Sequence, residues 1–476
     1  MTNGGMDLVG SSARLVAVKI VNAAIGFVAL TYFARALAVP LIGSFFLFQA
    51  ADAMMVVVAD FGLRSAVEKR VSEGDEPNQF FTAGVILKFV SLALVSVAIV
   101  LFRSQIDSYL RADLAFELVG VVVFHELALF LMQVLQGELR VGETAVLSLV
   151  NVAVYAATAT LLLQFGLRIR ALVYGLLVGY AAMFVVGFSR RTVRLRRPSM
   201  RHVRSLLGYA RYNVIWAVGG HVYHWMDVAL IGLLLTQQRV AVYEVAWRIS
   251  LVTVMVSRSI GTTILPQVSA WEVQDAYDDI NDLIPAAITS SLFFIIPSFF
   301  GVLVLSRTIL STVFGPQYAS AGLVLVILMG GAVARSVDII FDKLVHGFNR
   351  PDIGARTTVI SVLVNVVLNV VLITQFGIAG AAIATTLAVA VNATLLGSYL
   401  SRLTAVRFHV SDLGWCVLSA FGMAVVVAGV TEQVRVTTLF GLGGLVALGA
   451  ITYFLFVLLS STLRRKIIRN IRSVIT

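Results

Sequence analysis

Long apolar stretches recur along the whole chain, with short polar segments between them. About fourteen of these stretches approach the roughly 20 residues that an α-helix needs to cross a hydrocarbon layer of about 30 Å. The pattern therefore predicts an all-α polytopic membrane protein with about 14 transmembrane helices. The predicted spans are residues 15–38, 41–64, 80–102, 114–137, 144–166, 171–189, 207–235, 240–266, 283–305, 321–345, 355–375, 378–402, 412–430 and 437–460.

Composition agrees with a membrane fold and narrows the function. Of the 476 residues, 59% are hydrophobic and 13% are charged, and the mean hydropathy is +0.94. The single cysteine, Cys416, excludes an internal disulfide. The predicted connections, at most about 20 residues long, leave no room for an extramembrane catalytic domain, and no phosphate-binding glycine loop, HExxH metal motif or nucleophile elbow is present. We expect a protein that is not an enzyme, uses no metal or cofactor, and acts within the bilayer.

The distribution of lysine and arginine predicts the orientation. An even number of spans places both termini on one side of the membrane. With that side as the cytoplasm, the inside segments hold about 21 Lys and Arg residues and the outside segments about eight, in line with the positive-inside rule. The acidic inside loop 271–282 does not alter this, because acidic residues contribute little to the rule. We expect a multi-pass protein of the cytoplasmic membrane with both termini cytoplasmic; its net charge of +11 suits anionic lipid headgroups and is not a nucleic-acid footprint.

A short internal repeat suggests two lobes. Residues 161–171, LLLQFGLRIRA, and 372–382, LITQFGIAGAA, share the QFG core and the final alanine. They close the fifth and the eleventh predicted spans, which indicates a repeated unit of six spans; alternatively, QFG is simply a common loop after an apolar helix. The predicted divisions are an N-terminal lobe (1–189), a basic cytoplasmic linker (190–206), a C-terminal lobe (207–405), and two further helices with a basic tail (406–476).

Several segments resemble a known transporter family. Residues 34–73, ARALAVPLIGSFFLFQAADAMMVVVADFGLRSAVEKRVSE, look like the first helical hairpin of the polysaccharide transporter family, within the multidrug, oligosaccharidyl-lipid and polysaccharide exporter superfamily. The resemblance covers most of residues 14–405. The segments that resemble the second lobe of that family, in the right order, are 227–250, the Leu265-Pro266 pair, 314–328 and 365–388.

This resemblance implies a flippase for an oligosaccharide linked to undecaprenyl or dolichyl (di)phosphate, serving cell-surface polysaccharide or glycoprotein glycan assembly. Such transporters are similar in placing two six-helix lobes around a central cavity, which opens alternately to the two membrane faces. The headgroup passes through the cavity, and the lipid tail follows a groove by the last helices. Glycosyltransferases or a polymerase of the same pathway are the expected protein partners. The lipid II flippase branch usually has an Arg-Asp pair where this chain has Ala29-Leu30, which argues against a peptidoglycan precursor as substrate.

Charged residues inside the predicted spans mark candidate substrate contacts, because a charge at the bilayer centre costs at least roughly 2.5–3.5 kcal/mol. Arg335, Asp338, Asp342 and His346 share one face of a helix, within an arc of about 60°. If these intramembrane charges line a water-filled cavity that is basic overall, the cavity suits a phosphate or diphosphate headgroup. The predicted substrate-binding residues are Arg248, Arg258, Arg335, Lys88, Arg35 and Asp338.

Local ion pairing is the alternative for some of these residues. Arg335 with Asp338, and Glu244 with Arg248, have spacings at which the charges can neutralise one another on a helix. Arg35 lies near a span end, where its side chain can snorkel to the interface. Arg258 and Lys88 have no acidic residue one helical turn away in the sequence, so they are the stronger candidates for facing water and an anion.

A second set of polar residues suggests ion coupling. His221 and His224 lie three residues apart, beside Asp227 in the seventh span, and Asp52 adds a carboxylate in the first lobe. Histidine titrates near neutral pH and can carry a proton. The predicted coupling residues are therefore His221, His224, Asp227 and Asp52, with H+ or Na+ as the coupling ion. Alternatively, the histidines hydrogen-bond to sugar hydroxyls or to neighbouring helices.

Two other functional classes compete with the flippase. A cation-coupled multidrug exporter of the same superfamily would favour an acidic, aromatic cavity for cationic drugs, whereas the intramembrane charges here are mainly basic. A multispan glycosyltransferase or polymerase would carry catalytic carboxylates on a long external loop, and the sequence has no such loop.

Overall fold

The computed structural model is helical along the residues that it describes, 4–434 and 436–465, with side chains placed over 18–211, 225–434 and 436–465. Helices are expected, because a chain crossing hydrocarbon must satisfy its backbone hydrogen bonds internally. The helices are α1 (Gly4–Ala36), α2 (Val39–Asp60), α3 (Leu63–Ser72), α4 (Pro77–Leu101), α5 (Arg103–Leu110), α6 (Ala115–Gly137), α7 (Val141–Gln164), α8 (Ile169–Arg190), α9 (Met200–Leu234), α10 (Gln237–Thr253), α11 (Met255–Val273), α12 (Tyr277–Phe314), α13 (Gly322–Gly347), α14 (Pro351–Phe376), α15 (Ile378–Leu400), α16 (Val410–Gln433) and α17 (Leu439–Leu459).

The prediction of an all-α membrane protein is confirmed. Within the described residues, 12 helices are long and apolar enough to cross a membrane, and the bent pair α10–α11 raises the number to 13. The helix α9 has 35 residues, but part of it lies outside the region with described side chains. The predicted number of about fourteen is therefore approximate.

The predicted eighth span is not one straight helix. The helices α10 and α11 meet at an angle of 45°. Just before the break, the Ser250 hydroxyl donates to the Trp247 carbonyl at 2.7 Å and the Thr253 hydroxyl donates to the Ser250 carbonyl at 2.8 Å. Hydroxyl groups that bond to nearby helix carbonyls compete with the backbone ladder and bend helices. Arg258, on α11, therefore does not lie on the same straight helix as Glu244 and Arg248, on α10.

The chain divides into two compact units, Met1–Ala241 and Val242–Thr476. In the first, α9 packs against α2, α3 and α4, and the hairpin of α7 and α8 packs against α1 and α6. In the second, α13 packs against α11, α12 and α15, while α16 and α17 pack against α12. The division by packing thus places α9 with the first unit, although we assigned residues 207–235 to the second lobe; the linker at 190–206 remains a prediction as a functional boundary.

The repeated QFG motif lies at the end of α7 and at the end of α14, although four residues separate α7 from α8 and one residue separates α14 from α15. Gly166 follows α7 with φ +79°, and Gly377 follows α14 with φ +59°. Glycine suits these positions because positive φ brings no Cβ clash. A second correspondence lies at the start of the same two helices, where Leu139 and Asn349 both adopt positive φ just before the helix begins. The repeat therefore relates the hairpin α7–α8 to the hairpin α14–α15.

Candidate functional site

Arg335 lies in a small crevice of the second unit, formed by α10, α13 and α15. Its guanidinium carbon is 5.2 Å from the centroid of the Trp247 ring, a distance suited to a cation–π interaction. Ser250, Thr385 and Thr386 also line the crevice, whose volume is about 10 Å³, room for about one water molecule. The site thus holds a cation against an aromatic face, beside hydroxyl groups.

The other charges of the α13 stripe have partners of their own. Oδ1 of Asp338 accepts a hydrogen bond from the Asn392 side-chain amide on α15 at 2.6 Å. Asp342 pairs with Lys343 at 3.0 Å, and its Oδ1 lies 3.4 Å from Nδ1 of His346. Asp338 is also electrostatically attracted to Arg335. The predicted stripe therefore has two parts. Asp342 interacts with Lys343 and His346 on α13 itself, whereas Asp338 joins α13 to α15.

Two further predicted substrate-binding arginines, Arg248 and Arg258, lie in the second unit. The Arg248 Nε atom donates to Oε1 of the buried Glu244 at 2.8 Å, and about a third of the Arg248 side chain is exposed. Arg258, on α11, is exposed and experiences the like charge of Arg335. An anion that binds between Arg258 and Arg335 would relieve this repulsion. The structure thus brings the predicted pair Arg258 and Arg335 within electrostatic reach of each other.

Lys88 is buried inside an ion network of the first unit. Its Nζ atom donates to Oε1 of Glu126 at 2.6 Å and to Oδ1 of Asp60 at 3.1 Å. Arg64 pairs with the same Asp60 oxygen at 3.1 Å. The expectation that Lys88 faces water and an anion is therefore wrong: its acidic partners lie on other helices, α2 and α6, far from Lys88 in sequence. Two bases and two acids compensate each other here, and Lys88 is fully shielded from solvent.

Asp52 forms a separate polar site in the first unit. Its Oδ2 atom is 2.7 Å from Nδ1 of His125 on α6. The His125 ring stacks on Tyr180 of α8, with centroids 3.9 Å apart and planes 9° apart. The other oxygen of Asp52, Oδ1, is buried and has no hydrogen-bond partner among the described residues. A carboxylate and an imidazole are thus held together within a membrane helix bundle.

The remaining predicted residues are placed as follows. Arg35 is exposed in the last turn of α1. Asp227 is buried on α9. His221 and His224 lie outside the residues with described side chains. In the described part of the chain, no group of three or more His, Cys, Asp and Glu side chains is arranged to hold a metal ion.

An apolar groove lies between α12, α16 and α17. Its volume is about 310 Å³, and Phe294, Leu305, Met423 and Tyr453 are among its lining residues. Gly301 leaves space on the α12 side of the groove: a Cβ added there would lie 4.0 Å from the Met423 Cε atom. A lipid groove near the last helices was expected only from the family resemblance, because the lining residues are ordinary apolar residues of three separate spans.

The chain is similar in sequence to other proteins over most of its length. The chain is 41% identical over 98% of its length to the "Probable low-salt glycan biosynthesis flippase Agl15" of Haloferax volcanii, covering 99% of that protein. It is 26% identical over 90% of its length to the "Probable flippase AglR" of the same organism, covering 91% of it.

Solved structures share the architecture at low sequence identity. The inward closed conformation of the lipid II flippase MurJ matches 95% of this chain and 99% of its own, with a TM-score of 0.79 and 16% identity. An inward-facing multidrug resistance MATE family transporter of the MOP superfamily matches 80% of this chain and 94% of its own, with a TM-score of 0.65 and 14% identity. These similarities concern the fold. A family profile described as "Polysaccharide biosynthesis protein" matches residues 34–322, and together with the 41% identity to Agl15 this match shows that the chain belongs to the polysaccharide biosynthesis protein family.

Proposed function

We propose that this protein is a flippase that moves a polyprenyl-(di)phosphate-linked oligosaccharide across the cytoplasmic membrane by alternating access, for the assembly of cell-surface polysaccharide or glycoprotein glycan. The observation that carries the proposal is the similarity along nearly the whole chain to a protein named as a glycan biosynthesis flippase. The helical membrane fold, shared with a lipid II flippase, supports it.

The proposed headgroup contacts in the second unit are Arg335, Arg258 and Arg248. Arg335 and Arg258 repel each other, so a phosphate or diphosphate that neutralises both is bound with favourable electrostatics. Arginine also presents several N–H donors in a planar fork that fits phosphate oxygens. Arg248 pairs with Glu244 through its Nε atom, and part of its side chain is exposed. Asp338 is a positioning residue in this proposal, because it joins α13 to Asn392 on α15.

The two predicted substrate contacts in the first unit, Lys88 and Arg35, have different proposed roles. Lys88 is shielded and bonded to two carboxylates, so we assign it a structural role. Arg35 is exposed at the end of α1 and stays a proposed substrate contact.

The lipid tail is assigned to the apolar groove between α12, α16 and α17. A polyprenyl chain is purely apolar, and the groove is lined mainly by apolar side chains with aromatic rings of Phe294, Tyr453 and Phe454. The hydrophobic gain of roughly 0.8 kcal/mol for each buried CH₂ group supports tail binding there. The proposal covers undecaprenyl and dolichyl carriers alike, since both present the same apolar repeating units.

Orientation and coupling complete the proposal. The proposed location is the cytoplasmic membrane, with both termini cytoplasmic; the basic linker, with Arg194, Arg196 and Arg197, then faces the cytoplasm, as the positive-inside rule favours. Asp227, with His221 and His224, and Asp52 form the proposed coupling set for H+ or Na+. The pathway's glycosyltransferases or polymerase are the proposed partners.

The test is to delete the gene and to identify the lipid-linked glycan that accumulates. A flippase defect should leave a complete lipid-linked oligosaccharide on the cytoplasmic face and reduce the glycan at the cell surface. Wild-type protein supplied in trans should reverse both effects. Accumulation of an incomplete oligosaccharide would instead indicate a sugar-transfer step, and an unchanged lipid pool together with loss of drug tolerance would indicate a drug exporter.

A further inference from the structure

Asp52 and His125 form a second polar site that is separate from the arginine crevice. The two side chains come from α2 and α6 and meet at 2.7 Å, and Asp52 is 3% exposed. Oδ1 of Asp52 is buried with no hydrogen-bond partner among the described residues. An ionised carboxylate with one unsatisfied oxygen is costly in a low-dielectric interior. A residue arrangement that persists at such a cost within a membrane bundle is a candidate functional site.

Two tyrosines, Tyr180 and Tyr155, lie near this pair. The Tyr180 ring lies parallel to His125, and Tyr180 interacts electrostatically with Asp52 and with Tyr155 of α7. Helices α1 and α9 also pack on α2 and carry Arg35 and Asp227. The closest charges along α2 and α6 themselves belong to the network of Asp60, Glu126, Lys88 and Arg64, whose members already pair with one another.

We infer that Asp52 and His125 bind one proton and are the place where this transporter exchanges protons. When Asp52 is ionised and accepts the Nδ1–H bond, the neutral ring has its free lone pair on Nε2. Uptake of a proton forms an N–H bond at Nε2 and converts a pair of net charge −1 into an ion pair of net charge zero. Release breaks the same bond and restores the negative charge. The site therefore changes the charge inside the bundle by one unit in each cycle.

The geometry also selects the ion. A sodium ion needs several oxygen ligands, as hard cations do, but Asp52 Oδ2 contacts a ring nitrogen at 2.7 Å. Imidazole is the side chain that most often exchanges protons near neutral pH. The role in transport rests on the proposed flippase function, whereas proton binding by the pair does not.

Proton binding is tested on the full-length protein in lipid nanodiscs, labelled with ¹⁵N-histidine. The chain has six histidines, so the signal lost in His125→Gln identifies the ring. That signal should change with pH, and Asp52→Asn should alter this change, because the carboxylate that contacts the ring is removed. His409→Gln is the matched control, since it removes another histidine from the second unit and should leave this titration unchanged. Absence of titration, or an unchanged titration in Asp52→Asn, overturns the proton site.

A second readout uses proteoliposomes that contain the lipid-linked oligosaccharide accumulated by the deletion strain. The rate of flipping should respond to an imposed proton gradient in the wild-type protein and in His409→Gln, and this response should be lost in His125→Gln and Asp52→Asn. A response to a sodium gradient alone would overturn the choice of ion. If the wild-type protein flips no glycan lipid under any gradient, the proposed function fails, and the histidine titration still decides on the proton site.

Discussion

Lys88 on α4 and Glu126 on α6 are joined within the first unit by a contact of 2.6 Å between Nζ and Oε1, and both side chains are completely shielded from solvent. The same lysine contacts Oδ1 of Asp60 at 3.1 Å. Three helices are therefore held together by charges that compensate one another. Removing one partner of a buried ion pair leaves an uncompensated charge, which is more costly than losing both.

The first prediction concerns this network. Lys88→Met should destabilise the protein by roughly 3–5 kcal/mol, because Glu126 and Asp60 then share the single charge of Arg64. The double variant Lys88→Met with Glu126→Gln should regain part of this loss, since Asp60 and Arg64 remain a balanced pair. Thermal unfolding of the purified protein in detergent measures both. Lys69→Met, at an exposed lysine of α3, is the control; equal stability of Lys88→Met and Lys69→Met would contradict the structural role.

The second prediction tests the apolar groove. Gly301→Leu should fill the groove, since a Cβ at this position meets little besides the Met423 terminus, and it should reduce glycan-lipid transport by roughly tenfold, which equals about 1.4 kcal/mol of lost binding. Gly443→Leu, on α17 in a position with nothing within 4 Å of an added Cβ, is the matched control. Surface glycan is measured relative to the amount of inserted protein. Unimpaired transport by a well-inserted Gly301→Leu variant would remove the tail from this groove.

Hydrophobic periodicity was sufficient to predict the fold class, because a membrane span requires about 20 apolar residues and leaves a signal in every window. The break between α10 and α11 was missed, because two hydroxyl side chains, Ser250 and Thr253, hardly change the hydropathy of an otherwise apolar stretch. Their hydrogen bonds to nearby helix carbonyls are visible only in the structure. The QFG repeat did have a local cause that the sequence records, a glycine with positive φ in the connection that follows each of the two helices.

The candidate sites were harder to predict, because their partners meet through packing of separate helices. Arg335 was found from its charge, but Trp247, which stacks on it, is 88 residues away and looks like any interfacial tryptophan. His125 and Asp52 are likewise distant in sequence. Charge and hydropathy identify which side chains are costly in a membrane, and only the fold shows which of them compensate each other.

The third prediction concerns orientation. Cys416 is the single cysteine and is buried, so its replacement by alanine provides a background for labelling. Cysteines placed at Gln105 and at Arg435 should react with an impermeant thiol reagent added outside intact cells, and one placed at Arg197 should react only after the membrane is opened. Gln105 and Arg197 are both exposed, so a difference in labelling between them reports the membrane side. Labelling of position 197 from outside would reverse the orientation.

The last prediction separates substrate binding by Arg335 from ion pairing with Asp338. Arg335→Ala removes both the charge and the donor fork, and it should reduce transport by roughly 10- to 100-fold if a hydrogen bond to a charged phosphate, worth roughly 1.5–3 kcal/mol, is lost. Arg335→Lys keeps the charge without the fork and should be intermediate. Arg402→Ala is the matched control, because Arg402 also lies over an aromatic ring, Tyr399 at 5.5 Å, but on the exposed surface.

The double variant Arg335→Ala with Asp338→Ala decides between the two roles. If Arg335 served only to neutralise Asp338, removing both charges would restore transport, since no uncompensated charge would remain. Asp338 has its own hydrogen bond from Asn392 and Arg335 lies over Trp247, so each residue is held by a different neighbour. We therefore expect the double variant to stay as defective as Arg335→Ala while being inserted normally. Transfer of lipid-linked glycan to the outer face, normalised to protein level, is the measurement, and recovery in the double variant would leave Arg335 with a structural role alone.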